Sequence, residues 1–475
     1  MKTVGKVCLT SALTIITSSV LAAKAPYYST DCMKCDGYIG SVKKYKTPSP
    51  KYLPRDYKHN SGYKHTGLLP HKAPIKLNNV ITSSKLGINE TYSPANLLTM
   101  QPSINEELAL LQQRQAFTKA TGYDFTSPTL EIGGGLEGSF AYANQDNVVG
   151  RDQNLTLGMA EFDAQYIVNN FSNGYVSFAY NNMPKSSNDR SPKSTVYLKR
   201  AFISFGDLNS SPVYLSIGKM YVPFGNYSSA MVSTPLTQSA GRILSPSATL
   251  GLFYKGINLA GFTYSGSKTS DTKKVNLQGG ARLGFSKKMT NGNFNVNASY
   301  VTNIADSQGM QDNGLGSTNQ FNGFSQTSTG NNLVKNVPGW DVGLSTTYKH
   351  FTFMGEYLAA AEAFDVKDLS FNKQAAKPTA MHGEVDINWN MYHRPFTLGA
   401  FYGRTEQALG LNLPKQSFGV VLSSSLAKDT IEAIEVRQDK DYAKQDVATG
   451  RGATNDITAT GNSHYTVSAK VGIYF

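Results

Sequence analysis

Tyr465, Val467, Ala469, Val471, Ile473 and Phe475 alternate with His464, Thr466, Ser468, Lys470, Gly472 and Tyr474 through the last twelve residues of the chain. Successive side chains of a strand point to opposite sides, so this segment forms a strand with one apolar and one polar face. The polar face needs water or polar partners. The apolar face needs a medium without water, and it ends on an aromatic ring.

An aromatic carboxyl terminus on such a strand resembles the insertion signal of bacterial outer-membrane β-barrels, with Phe475 the contact for the barrel-assembly machinery. The other end of the chain agrees. Lys2 and Lys6 precede a mostly apolar run from Val7 to Val20, and Ala22 and Ala23 offer small residues for cleavage. Residues 1–23 therefore read as a secretory signal peptide. The run is short of the roughly 20 apolar residues a spanning helix needs. A membrane protein without such helices crosses the bilayer as a closed barrel, because every backbone polar group must be paired.

From Thr129 the sequence supplies the strands. Sixteen candidates lie at about 129–143, 154–169, 174–182, 195–206, 212–220, 248–256, 257–265, 275–287, 293–303, 339–349, 350–360, 379–389, 395–403, 415–426, 430–438 and 463–475. Every second connection is short, as at Lys255-Gly256 and Lys349-His350, and most of the others are long and polar, as at 221–247, 304–338, 361–378 and 439–462. Short periplasmic turns alternating with long external loops mark an outer-membrane barrel. A β-sandwich also alternates in and out, but it shows no such parity. The expected fold is an all-β transmembrane antiparallel barrel of sixteen strands over 129–475. A content of 43 Gly with 27 Tyr and 23 Phe suits its turns and interface girdles. The mean hydropathy of −0.32 fits a barrel whose inward residues face water.

Residues 24–102 are rich in Pro, Tyr, Lys and Ser, with neither period, and read as an extended periplasmic segment. Residues 24–128 hold 14 Lys/Arg against 7 Asp/Glu, so much of the chain's net charge of +12 belongs before the barrel. An exported chain meets little nucleic acid, so anionic lipid or an acidic partner is the expected contact. Cys32 and Cys35 form a CxxC pair, read as a local disulfide in an oxidising compartment. His59, His65 and His71 recur every six residues; they suit exposed linker positions or a metal-capturing tract. Residues 103–128 read as a short helix and linker, with Ser103 and Glu106 matching a capping box and Ile104, Leu108 and Leu111 forming a stripe. That helix has three places to go: against the periplasmic mouth, into the barrel, or onto another subunit.

Alternation also divides the barrel wall. Phe162, Ala164, Tyr166, Met381, Val385, Ile387 and Trp389 face lipid, while Glu161, Asp163, Gln165, His382, Glu384, Asp386 and Asn388 face inward. The same reading turns Arg282, Lys415, Arg437 and Lys470 inward, with Glu131, Glu137, Glu356 and Glu435, around a wet lumen of both charges. No phosphate-binding loop, metalloprotease helix or nucleophile elbow is present in the sequence. Neither an enzyme nor a cofactor or resident metal is expected. Gly133, Gly134 and Gly135 ease curvature or a close approach.

Four stretches resemble the LbtU-type siderophore porin family of Gram-negative outer membranes. They are Pro102–Arg114, Gly218–Gly225, Phe364–Asn372 with Ala376–Pro378, and Lys428–Arg437. The resemblance covers about 100–475. It implies an outer-membrane porin or receptor for iron acquisition, with an N-terminal periplasmic extension and ferric-siderophore uptake as the leading function. A siderophore-independent ferrous-iron route and a general diffusion porin remain as alternatives. The implied partners are an iron-siderophore or iron, and outer-membrane lipid. For an anionic siderophore, Arg242 and Lys367 in external loops, with Arg282, Lys415, Arg437 and Lys470 in the lumen, are the candidate contacts, since Arg and Lys make charge-assisted bonds to carboxylates. Loop 221–247 is long enough to fold inward and narrow the pore.

Overall fold

The computed structural model describes residues 79–82, 105–122, 125–144, 152–182, 194–267, 276–312, 324, 333–392, 394–427, 429–450 and 456–475. The signal peptide, Cys32 and Cys35, and the histidine tract lie outside the described residues. Sixteen long strands form the wall: β1 Thr129–Asn144, β2 Asp152–Ile167, β3 Ser172–Asn182, β4 Ser194–Phe205, β5 Val213–Tyr221, β6 Leu244–Tyr254, β7 Ile257–Gly266 and β8 Asn276–Met289. The second half is β9 Gly292–Val301, β10 Gly339–Tyr348, β11 Phe351–Ala360, β12 Thr379–Met391, β13 Arg394–Glu406, β14 Gln416–Ser424, β15 Thr430–Lys440 and β16 Ser463–Tyr474. Each pairs antiparallel with its neighbour, and β16 pairs back onto β1 from Gly135↔Tyr474 to Asn144↔Tyr465. The sheet is a closed antiparallel barrel.

The terminal residue closes the seam. Phe475 accepts from Gly134 N at 3.0 Å and donates to Gly134 O at 3.1 Å. A Cβ on Gly134 would lie 2.8 Å from the Phe475 ring, so the glycine run provides a close approach, as its sequence suggested. Lys255 and Gly256 both have positive φ, as a two-residue turn between twisted strands requires.

The outer wall is apolar. Leu250, Leu283, Phe353, Ile387, Val420 and Val471 are all exposed. Aromatic residues gather where strands meet the short turns: Phe171 with Phe205, Trp389 with Phe396, and Phe351 with Phe353. Such a girdle around an apolar band is what a barrel presents to lipid.

Beside short helical turns in the loops, the described residues carry further elements outside the sixteen-strand pattern. A short strand, Asn79–Thr82, pairs parallel with Thr129–Ile132 of β1, in a segment whose sequence shows no period. Helix α1, Glu106–Thr121, precedes the barrel. The long loops carry a four-stranded sheet of their own, from Leu369–Phe371, Gln374–Ala375, Val447–Gly450 and Ile457–Thr458.

Candidate functional site: a stoppered lumen

α1 lies inside the barrel. Leu110 packs with Tyr175, Phe202 and Met220, and Leu108 and Leu111 pack with Tyr214, all from β3, β4 and β5. Towards the short-turn end, Phe117 meets Phe125 and Ile167, Arg114 donates to Gly206 O, and Gln115 donates to Leu208 O. The expected capping box is corrected: the helix begins at Glu106 with Asn105 as its N-cap, which makes no side-chain capping bond. Glu106 sits in the first turn and pairs with the buried Arg200 of β4. Its carboxylate is committed to the wall rather than to its own helix.

Arg200 is the hub of that contact. It also pairs with Glu161 and, at 3.6 Å, with Asp163; Lys199 reaches Glu161 at 2.6 Å. Tyr175 donates to Asp163 at 2.7 Å, and the Tyr175 and Tyr221 rings flank the guanidinium at 5.3 and 6.0 Å. The wall supplies two cations and two carboxylates, so its charges balance without the helix. Glu107, next along α1, is fully buried, and among the described residues no side chain donates a hydrogen bond to its oxygens. Burial pushes its carboxyl up to about 8, with its own backbone N–H opposing, Glu106 pushing the same way as burial, and Arg282 opposing. α1 is a plug seated on a wall complete in itself.

The connection from β5 to β6 is the second obstruction. Residues 222–243 turn inward, carrying helix α2, Leu236–Gly241. Wall carboxylates hold their backbone. Glu356 accepts from Asn226 N at 2.7 Å, Tyr227 N at 2.9 Å and Thr237 Oγ1 at 2.6 Å. Glu384 accepts from Ala230 N at 2.8 Å and from Ser229 Oγ, and Glu435 from Val232 N at 2.6 Å and Ser233 N at 3.1 Å. Amides left unpaired by an irregular loop are thus satisfied by charged acceptors, which make stronger bonds than neutral ones. The attachment points on β11, β12 and β15 carry the loop across the lumen. Gly225 has φ +82, and a Cβ there would meet the Tyr227 ring at 2.3 Å, so only glycine permits this entry. Burial raises the Tyr227 hydroxyl well above its ordinary range; Asp341 and Glu356 add to this, and Arg242 and Arg282 oppose it.

The expectation of a uniformly wet lumen is therefore corrected. Glu161, Asp163, Asp341, Glu384, Asp386 and Glu435 do face inward, but α1 and the inward loop bury them. Wall side chains stay part-exposed along β15, β16 and β1, where Arg437, Asp439, His464, Ser468, Lys470 and Glu137 lie. Arg437 bonds Asp439 at 2.8 Å, and Lys470 approaches Glu137 at 3.3 Å. This polar lane runs beside the two obstructions. Above it, one apolar core joins the inward loop (Phe224, Tyr227, Leu236) to the outer loops (Phe364, Leu369, Leu411, Tyr442), and Phe324 stacks on Phe364 at 5.2 Å.

The six candidate contacts do not converge. Arg437 and Lys470 share the lane on adjacent strands, four residues apart in register and so roughly 13 Å apart along the wall. Arg282 is buried and donates to Gly225 O, as a support of the inward loop. Arg242 lies over the Tyr221 ring at 4.9 Å, and Lys367 is exposed on an outer loop. Lys415, read as facing the lumen, instead precedes β14 at the rim, with its ammonium 5.8 Å from the Tyr442 ring. The three wall glutamates that hold the loop were readable as inward, but nothing in their spacing identifies their partners.

No family model matches the chain. Among solved structures, the chain is similar to an anion-selective porin from Comamonas acidovorans (10% identity, 74% of this chain and 100% of that one, TM-score 0.48). It is also similar to the outer membrane channel DcaP of Acinetobacter baumannii (13% identity, 73% and 97%, TM-score 0.45). Among curated sequences, a UPF0422 protein of Legionella pneumophila strain Lens is 33% identical over 405 residues, covering 83% of this chain and 76% of its own. A UPF0422 protein of Coxiella burnetii is 30% identical over 446 residues, covering 91% and 88%. At that identity and coverage, the chain belongs to the UPF0422 family.

Proposed function

We propose that this protein is a gated outer-membrane channel of the porin class that admits a particular ligand, and that the ligand is an iron-loaded siderophore. One observation carries the channel reading: the barrel is apolar outside, and its own plug and inward loop fill the lumen beside a polar lane. An unselective pore has no use for a plug whose removal leaves a charge-balanced wall. The outer-membrane placement rests on the lipid-facing band and on Phe475 at the seam. The C-terminal end of α1 lies at the short-turn end, next to the start of β1, which supports a periplasmic N-terminal segment. Iron enters through the sequence resemblance alone.

Radioiron uptake by a deletion strain tests the reading, with iron supplied as ferric siderophore and separately as free ferrous iron. Loss of the first alone is the expected result. Loss of the second alone would place the protein on a siderophore-independent route. Normal uptake of both, with altered permeability to unrelated small solutes, would overturn the iron reading and leave a general porin.

A further inference from the structure

A cleft of about 420 Å³ opens at the loop end of β14 and β15, lined by Lys415, Gln416, Lys440, Asp441, Tyr442, Ala443, Lys444 and Gly461. Its floor is ordered. Tyr442 lies on Thr405 at 2.8 Å and accepts from Ala408 N at 3.0 Å. The only carboxylate, Asp441, is taken up by its own loop, accepting from Thr460 N and Oγ1, each at 2.7 Å. Gly461 has φ +73, and a Cβ there would meet the Lys444 stem at 3.0 Å, so glycine lets that stem lie against the backbone. Lys415, Lys440 and Lys444 have no ion-pair partner among the described residues. Three cations and one carboxylate, held by hydrogen bonds from its own loop, line the cleft, which leaves it with a net positive charge.

Alternation fixes which way the cleft faces. Glu435 points inward, so Lys440, five residues on, points outward, as does its neighbour across the ladder, Gln416. Directly below on the same outer face are Phe418, Val420, Val436 and Tyr465, all exposed. Lys440 therefore sits where the lipid-facing band ends and external water begins, and Lys415, at the rim against Tyr442, and Lys444, in the loop, line the cleft beside it. A soluble anion would find only the lysines there; a lipid would fill both the cleft and the band beneath it.

We infer that this cleft binds the phosphorylated headgroup of an outer-leaflet lipid, its acyl chains running down over Phe418 and Val436. The inference rests on the outer-membrane reading and goes beyond the transport role. The test uses the full-length barrel, delipidated in detergent, with bound lipid counted by native mass spectrometry. The probes are diphosphorylated lipid A, its dephosphorylated form and inorganic pyrophosphate. The expected result is one phosphorylated lipid retained per barrel and little of the dephosphorylated form. Each lysine near an anionic lipid surface contributes roughly a factor of five, so Lys415→Ala, Lys440→Ala and Lys444→Ala together should lower affinity about a hundredfold. The single variants, each checked for a heat-dependent gel shift, should each lower it by roughly that factor of five. Equal retention of the dephosphorylated lipid, or unchanged retention by folded variants, would overturn the inference. So would pyrophosphate binding without lipid retention, which would make this a site for free anions. Fractionation of the protein away from the outer membrane would be a failure of the broader reading instead.

Discussion

At the scale of single residues, the inward loop hangs on Glu356, Glu384 and Glu435. Hydrogen bonds to charged acceptors contribute roughly 1.5–3 kcal/mol each, so these carboxylates add a holding contribution beside the apolar packing of Phe224, Tyr227 and Leu236. Arg242 is the only Lys or Arg in residues 222–243, and trypsin therefore reports on the loop. The folded wild type should resist cleavage there, and a barrel carrying E356Q, E384Q and E435Q should be cut after Arg242. Resistance in the triple variant would show that the staples do not hold the loop. Glu107 gives a second prediction. In the seated helix its carboxyl keeps a proton up to about 8, whereas a released helix gives it up near 4.5. The seated state thus binds more protons between those values, and seating weakens as pH rises through that window. Glu106 on the same helix, Arg282 of β8 and the Tyr214 hydroxyl of β5 are the charged or titratable groups facing it. Hydrogen exchange of α1 should show stronger protection at pH 5 than at pH 8.5, beyond the intrinsic rate change, and Glu107→Gln should reduce the difference, leaving the part that Glu106, also raised by burial, contributes. The direction of these side chains was legible from strand period. Their partners were not, because a wall glutamate and a loop amide nearly 130 residues apart share no local signal.

Among the elements, α1 separates what pattern fixes from what it leaves open. The helix itself was readable, from Leu108 and Leu111 at helical spacing. Its destination was not, because an apolar stripe serves equally for a mouth, a lumen or another subunit. Its burial is also wider than the stripe: Glu106, Glu107, Leu110 and Arg114 are buried as well. All sixteen wall strands were readable, to within about four residues at their ends, because each has lipid on one side. The loop sheet was not, since its strands are two to four residues long and its central pair joins residues some 80 positions apart. Seating should depend on Glu106 without the wall depending on it. Glu106→Gln should loosen α1 in hydrogen exchange while leaving the heat-modifiable gel shift intact. Arg200→Met should lower the assembled yield, because Glu161 and Asp163 would lose the partner that compensates their burial. Equal effects of the two variants would count against a detachable plug.

For the whole molecule, closure is the governing fact. Each of the sixteen strands is hydrogen-bonded to a neighbour on both sides, and the last pairs with the first, which closes the ring. Even strand number, loop parity and the aromatic terminus all expressed that closure in the sequence. Removing Phe475 deletes both hydrogen bonds to Gly134, and the truncated chain should assemble into the outer membrane at several-fold lower yield. The stoppering of the barrel is the central claim, and single-channel recording in planar bilayers tests it most directly. The full-length protein should show small or infrequent openings, and a variant lacking residues 105–122 that keeps the gel shift should conduct several-fold more. Large, steady and equal conductance from both proteins would contradict the account.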